Sequence, residues 1–198
     1  MDYMGGLAET PALSDESLTA LMRVRAKTFM GFMEREHNKG IMFAPFDLRT
    51  PKGQDVARLL FWRTIEEYAE SLNSVDIEHR LEELIDSFNY ISAALLFAQG
   101  FESQLTVDEL RPYWIGEVPT YERLGLLALE LSNVTETFRN RAWMENSQSN
   151  YFDGLQQYRN SILFAMRYCC RAFKDWNEFW RYFMAKDAVL QFRLRSNY

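Results

Sequence analysis

An all-α bundle is the fold this sequence predicts, and three observations predict it. Apolar residues recur at helical spacing over long stretches, strand-like alternation is absent, and the five prolines (11, 45, 51, 112 and 119) fall outside the periodic stretches. Hydrophobic residues at 47% and aromatics at 15% argue for a packed globule and against disorder. A chain of 198 residues suits one domain with a substantial core. The expectation is a helical bundle with a four-helix core over residues 14–198, behind a flexible tail at 1–13.

The elements follow from caps and breakers. Ser14 is a plausible N-cap for a first helix running to Glu36, with His37–Gly40 as its end. Residues 41–52 form a loop with two prolines. A second helix covers Gly53–Leu72, and Asn73–Asp76 make the turn into a third, Ile77–Gln99, stopped by Gly100. Thr106-Val-Asp-Glu109 reads as a capping box for a short helix ahead of Pro112. Helices are expected over Thr120–Met144 and Tyr151–Phe173, parted by the polar stretch 145–150. Asp175-Trp-Asn-Glu178 repeats the capping pattern and opens a last helix reaching Arg193.

Charge narrows the function. A net charge of −6 disfavours nucleic acid or an anionic membrane as partner, but not a small anionic substrate, because a bound divalent cation reverses the local field. Adjacent Cys169 and Cys170 offer no disulfide framework and fit a reducing compartment; one is expected buried and the other half-buried. Residues 1–13 lack the basic start and long apolar run of a secretory signal, and no stretch reaches about 18 uncharged apolar residues. A cytoplasmic protein is expected.

Two acidic steps carry the chemistry. Glu66-Glu67-Tyr-Ala-Glu70 lies on the second helix and Glu83-Leu-Ile-Asp86 on the third. Carboxylates three or four residues apart share a helix face, so two antiparallel helices can converge four of them. Hard oxygen ligands gathered this way suit Mg²⁺, which usually serves substrate phosphates. Yet a chain this acidic produces such steps by chance, and a solvated face is the competing reading. Helical phase bears on the choice. The third helix has a core stripe of Ile77, Leu81, Leu84, Ile85, Phe88 and Leu95, and Glu83 and Asp86 lie opposite it. Further along, the opposite face carries Tyr90, Ala93, Ala94 and Phe97, which places the acids at the mouth of something packed. On the second helix Phe61, Ile65, Tyr68, Ala69 and Leu72 form the core, with Glu67 and Glu70 on the far side. The residues alone leave a metal site and a solvated face both open.

The pattern EExxE, spacer, ExxD resembles the all-α nucleoside triphosphate pyrophosphatases: the MazG-like enzymes and the dimeric dUTPases, with the phage dCTPase-dUTPases among them. It is met by Glu66, Glu67, Glu70, Glu83 and Asp86. A second, separate resemblance lies at Lys186, Phe192, Arg193 and Tyr198, which fall at the spacings of the dimeric dUTPase C-terminal signature. The resemblance implies that Glu67, Glu70, Glu83 and Asp86 hold Mg²⁺. Glu66 would be a further ligand or, with Glu67, a base positioning the attacking water. Lys186 and Arg193 would clamp phosphates, seven residues and two turns apart on one side of a helix. Tyr198 would contact substrate, and Asn89, though it departs from the family's usual residue, could touch a sugar or base. The implied activity is hydrolysis of a pyrimidine dNTP, such as dUTP or dCTP, to the monophosphate and pyrophosphate by a homodimer.

Departures accompany the likeness. The signature's Lys-Asn is here Lys186-Asp187, its next Asn is Leu190, and the His often found three places after the metal-binding Asp is Asn89. The first helix offers Arg23-Val-Arg-Ala-Lys27 in place of a Gln-rich uracil-reading motif, and no Trp-containing loop follows the second helix. The competing class is a non-catalytic helical module that binds nucleotides or a protein. Glu34-Arg-Glu-His37 holds an ExxH step of the di-iron kind, but His79 is preceded by Asp76 rather than Glu, leaving that set incomplete.

Overall fold

The computed structural model describes residues 9–38, 45–98, 105–110, 113–142 and 148–196. Seven helices, and no strands among the described residues, make it an all-α protein: α1 (Asp15–Asn38), α2 (Pro51–Asn73), α3 (Ile77–Phe97), α4 (Val107–Leu110), α5 (Tyr121–Ala142), α6 (Gln148–Cys170) and α7 (Trp176–Ser196). No helix among the described residues is long and apolar enough to cross a membrane.

Caps fix the ends much as the sequence indicates. The Ser17 amide donates to Ser14 Oγ at 3.2 Å, and the Ser14 amide donates back to Ser17 Oγ at 2.9 Å. Helix α2 starts two residues earlier than expected. Thr50 Oγ1 accepts from the Gly53 amide, and Pro51 sits in the first turn, where its missing N–H costs nothing. Gly53 is required there, since a Cβ would lie 1.9 Å from the Asp47 carbonyl oxygen. The Thr106 amide donates to Glu109 Oε2 and the Glu178 amide to Asp175 Oδ1, so both expected capping patterns form hydrogen bonds at their helix starts. Pro11 is docked rather than loose: its carbonyl accepts from the Trp176 indole at 2.8 Å.

Helices α2, α3, α6 and α5 pack in a closed ring, each against the next, and form a four-helix bundle. The α2–α3 hairpin is antiparallel, and Ser87 Oγ donates across it to the Thr64 carbonyl at 2.8 Å. Fully buried Tyr158 donates its hydroxyl to the Ala94 carbonyl. On its other side α3 meets α1 and α7, where Phe88 packs edge-on to Phe179 and Phe183. Helix α3 is thus covered on two sides, which explains why its C-terminal half is apolar all round.

Three expectations need correction. Ile77, assigned to the core stripe of α3, is 56% exposed because it begins the helix beyond the reach of the covering elements. Glu83, placed opposite the core, is only 7% exposed, since α2 closes over that face. Cys169 and Cys170 are both fully buried, and burial pushes the Cys169 thiol up to about 12, leaving it inert at neutral pH. The Trp176–Phe183 aromatics are core: Trp176, Phe179 and Phe183 are all buried.

Candidate metal centre and its cavity

The short turn 74–76 makes α2 and α3 a hairpin and brings the two acidic steps face to face. Asp76 caps α3 through the Glu78 amide, and the Ser74 amide closes α2 on the Glu70 carbonyl. Carboxylate oxygens of Glu67, Glu70 and Glu83 consequently lie within 4.8 Å of one another. The three grade from exposed Glu70 through half-buried Glu67 to buried Glu83. Glu67 carries the electrostatic cost. Its burial first, then the charge of Asp86 and a hydrogen bond with Glu83, push its carboxyl up to about 8.

The fourth expected ligand is close by but already paired. Asp86 Oδ2 is 2.7 Å from Lys186 Nζ, so the residue expected to hold metal and the one expected to clamp phosphate hold each other. Glu66 is not among the three and is paired to Arg63 at 2.5 Å. His79 Nδ1 approaches Glu83 Oε1 at 3.3 Å. Tyr198 lies outside the described residues.

Beside the carboxylates opens a cavity of about 720 Å³, in the gap between α1 and α2 that the helix packing leaves. Glu67 and Asp86 line it, as do the expected Asn89 and Arg193. Sequence reasoning missed the remaining walls. Arg25, Phe29, Phe32 and Arg35 come from α1, Leu59, Leu60 and Arg63 from α2, Tyr90 from α3, and Leu190 from α7. The signal was available: 25, 29, 32 and 35 follow one helix face, as do 60, 63 and 67, and 190 and 193. These stripes mix cations with apolar groups, so a search for purely apolar faces passes over them. The cavity is chemically mixed, lined by the acids Glu67 and Asp86, apolar Phe29, Leu60 and Leu190, and several guanidinium groups. Its volume lies in the range of small-molecule sites.

The departures from the C-terminal signature have structural roles. Asp187 is buried against the Thr28 hydroxyl, to which Gln191 also donates at 2.7 Å, and this tie holds α7 to α1. Leu190 supplies cavity wall where an amide was expected. A search of protein-family models, curated proteins and solved structures yields no match to this chain.

Proposed function

We propose that this protein is a Mg²⁺-dependent nucleoside triphosphate pyrophosphohydrolase that cleaves a pyrimidine dNTP, such as dUTP or dCTP, to the monophosphate and pyrophosphate, and that it works as a homodimer. One observation carries the reading: three carboxylates from two helices meet at the edge of a cavity that also holds guanidinium groups and aromatic walls. The donor set fits a hard cation, being all carboxylate oxygen and close enough for one ion to bridge. Mg²⁺ held by Glu67, Glu70 and Glu83 would neutralise phosphate oxygens and lower the pKa of a bound water.

The chain's own residues do the rest. Arg193, at the cavity wall, supplies donors for phosphate oxygens. Glu67 would bind the ion as a carboxylate, so its raised carboxyl gives up its proton as the ion binds. Phe29 and Phe32 line the cavity, and Leu60 and Leu190 add aliphatic surface that suits the apolar part of a nucleoside. For the dimer, exposed Leu59 and Trp62 on α2 and Leu126 and Leu129 on α5 supply apolar surface on neighbouring helices. The alternative, a non-catalytic binding module, is favoured by the Asp86–Lys186 pair, which keeps one expected ligand engaged.

The test is release of monophosphate and pyrophosphate from a panel of dNTPs and NTPs with Mg²⁺, alongside light scattering for the oligomeric state. Chelator-sensitive turnover of one or a few members supports the enzyme. Silence from folded protein favours the binding module.

A further inference from the structure

The two halves of α7 are held to the bundle by different forces. In the first half Trp176, Phe179 and Phe183 are buried, and the two phenylalanines pack edge-on to Phe88 of α3. The Trp176 indole also donates to the Pro11 carbonyl. Beyond Phe183 the one buried residue of the helix is Asp187. From there to Ser196 the ties are chiefly polar. Lys186 Nζ lies 2.7 Å from Asp86 Oδ2, the Thr28 hydroxyl donates to Asp187, and Gln191 donates to Thr28 Oγ1 at 2.7 Å. This same half supplies Leu190 and Arg193 to the cavity wall. Arg25, Leu60 and Asn89 also line the cavity, yet none of them is more than 5% exposed. The inner wall is thus closed to solvent while α7 lies in place.

We propose that residues 186–196 of α7 are a gate over this cavity, latched by Lys186 on Asp86 and by Asp187 on Thr28. The charges suit a latch that opens without stranding any of them. Arg25 is buried on α1, and its Nε donates to the Asn89 backbone carbonyl at 3.1 Å, which ties it to α3. Burial lowers it to about 10, so it stays a cation at neutral pH, and Asp86 and Asp187 are its counter-charges. With the gate shut the charges alternate in sign: Lys186, Asp86, Arg25, Asp187. Lifting the end of α7 carries Lys186 and Asp187 together into water and leaves Asp86 with Arg25. Each side of the break keeps one charge of each sign, which avoids the heavy cost of a buried charge without a partner. Thr28 is not stranded either, because its hydroxyl also reaches the Val24 carbonyl at 3.2 Å. The aromatic half of α7 stays down as the anchor. Local opening draws on segments with few buried apolar contacts, and in α7 that segment is the second half. The gate follows from the latch geometry alone and holds for any ligand of the cavity, whether or not the chain hydrolyses nucleotides.

Thiol labelling reads the gate without any ligand. Cys169 and Cys170 are fully buried, so a cysteine introduced at Leu60 on the inner wall reports access to the cavity. In the Leu60→Cys protein, dithiodipyridine should label the new thiol slowly and leave the native pair silent. Adding Lys186→Met or Asp187→Ala should speed that labelling about tenfold or more, the factor that one lost charge-assisted hydrogen bond gives. Hydrogen exchange on the chain without the added cysteine gives a second reading. Amides of 186–196 should exchange faster than those of 180–185, and each latch variant should widen the difference. A labelling rate equal in all three proteins overturns the proposal. So does labelling of Cys169 and Cys170 together with the new thiol, which would make the event global unfolding. Equal protection of the two halves of α7, or a difference that neither variant widens, overturns it even if Leu60→Cys fails to fold. Nucleotide turnover enters none of these readings, so failure of the pyrophosphohydrolase reading leaves the gate standing.

Discussion

Two charge clusters on this bundle are built from similar residues and balanced in opposite ways. At the end of α6, Glu117 takes Arg171 in a forked pair and Arg123 on its other oxygen, while its own amide donates to the Arg171 carbonyl. One carboxylate faces two guanidinium groups, and the knot stitches the 113–120 linker to α5 and α6. On the α2–α3 hairpin three carboxylates crowd together, while Lys186 is paired to Asp86. A structural knot satisfies itself from within the chain. The acid cluster is not neutralised in that way, and its cost shows in the raised Glu67 carboxyl.

The largest expected effect comes from breaking the unbalanced cluster. Glu83→Gln or Glu70→Gln should lower kcat/KM for Mg²⁺-dependent dNTP hydrolysis by about 10³-fold or more. Removing one of three like charges should leave the metal-free melting temperature unchanged or raised. Retained activity in either variant would make the acids a solvated face. Breaking the balanced cluster should do the reverse. Glu117→Gln leaves two partly buried guanidinium groups without a counter-charge and should cost about 2 kcal/mol, or 4–8 °C in a chain of this size. Activity per folded molecule should not change, and calorimetry with an active-site titration separates the two.

Lys186→Met probes the point where the two kinds of balance meet. Lys186 is half-buried and lies against Asp86, whose charge holds its ammonium above its ordinary value despite burial. The variant frees Asp86 to join the acid cluster, so the Mg²⁺ concentration for half-maximal activity should fall severalfold. Loss of a cation near the phosphates should raise the KM for nucleotide about tenfold, the effect of one charge-assisted hydrogen bond. Both parameters moving in one direction would show that the lysine is only a strut.

The helices and their caps were legible because each is local: Ser14, Thr106, Asp175 and the α3 stripe announce themselves within a few residues of chain. The convergence of Glu67, Glu70 and Glu83 was also legible, since a short turn between two helices with acids on matched faces leaves few other arrangements. Which acids join was not. Asp86 shares a helix face with Glu83, yet Lys186, a hundred residues downstream, claims it, and only tertiary packing sets that choice. The cavity was hidden for a related reason. It is a gap between α1 and α2, and a gap arises from how α3 spaces its neighbours, not from any one segment. Asp187 shows the same limit: read as a departure from a binding signature, it is buried and ties two helices together through Thr28.

The smallest effect, and the one that measures the imbalance directly, is the pH dependence of stability without metal. In the folded protein the Glu67 carboxyl titrates at about 8, against an ordinary 4.5, chiefly because it is buried and then because Asp86 and Glu83 stand beside it. Between those values the folded chain holds a proton that the unfolded chain has released, so stability falls as pH rises through the interval and levels off beyond it. Glu67 is only half-buried, and solvent screening reduces the full linkage to about 1 kcal/mol, a loss of 2–4 °C from pH 5 to pH 8 in chelator. Glu67→Gln should flatten that slope. Mg²⁺ should oppose it, because ligation needs the deprotonated carboxylate and grows stronger as the proton leaves. The Glu117 knot, already neutralised, predicts no such response, so a slope that survives Glu67→Gln and ignores Mg²⁺ would place its source outside the acid cluster and remove the contrast between the two.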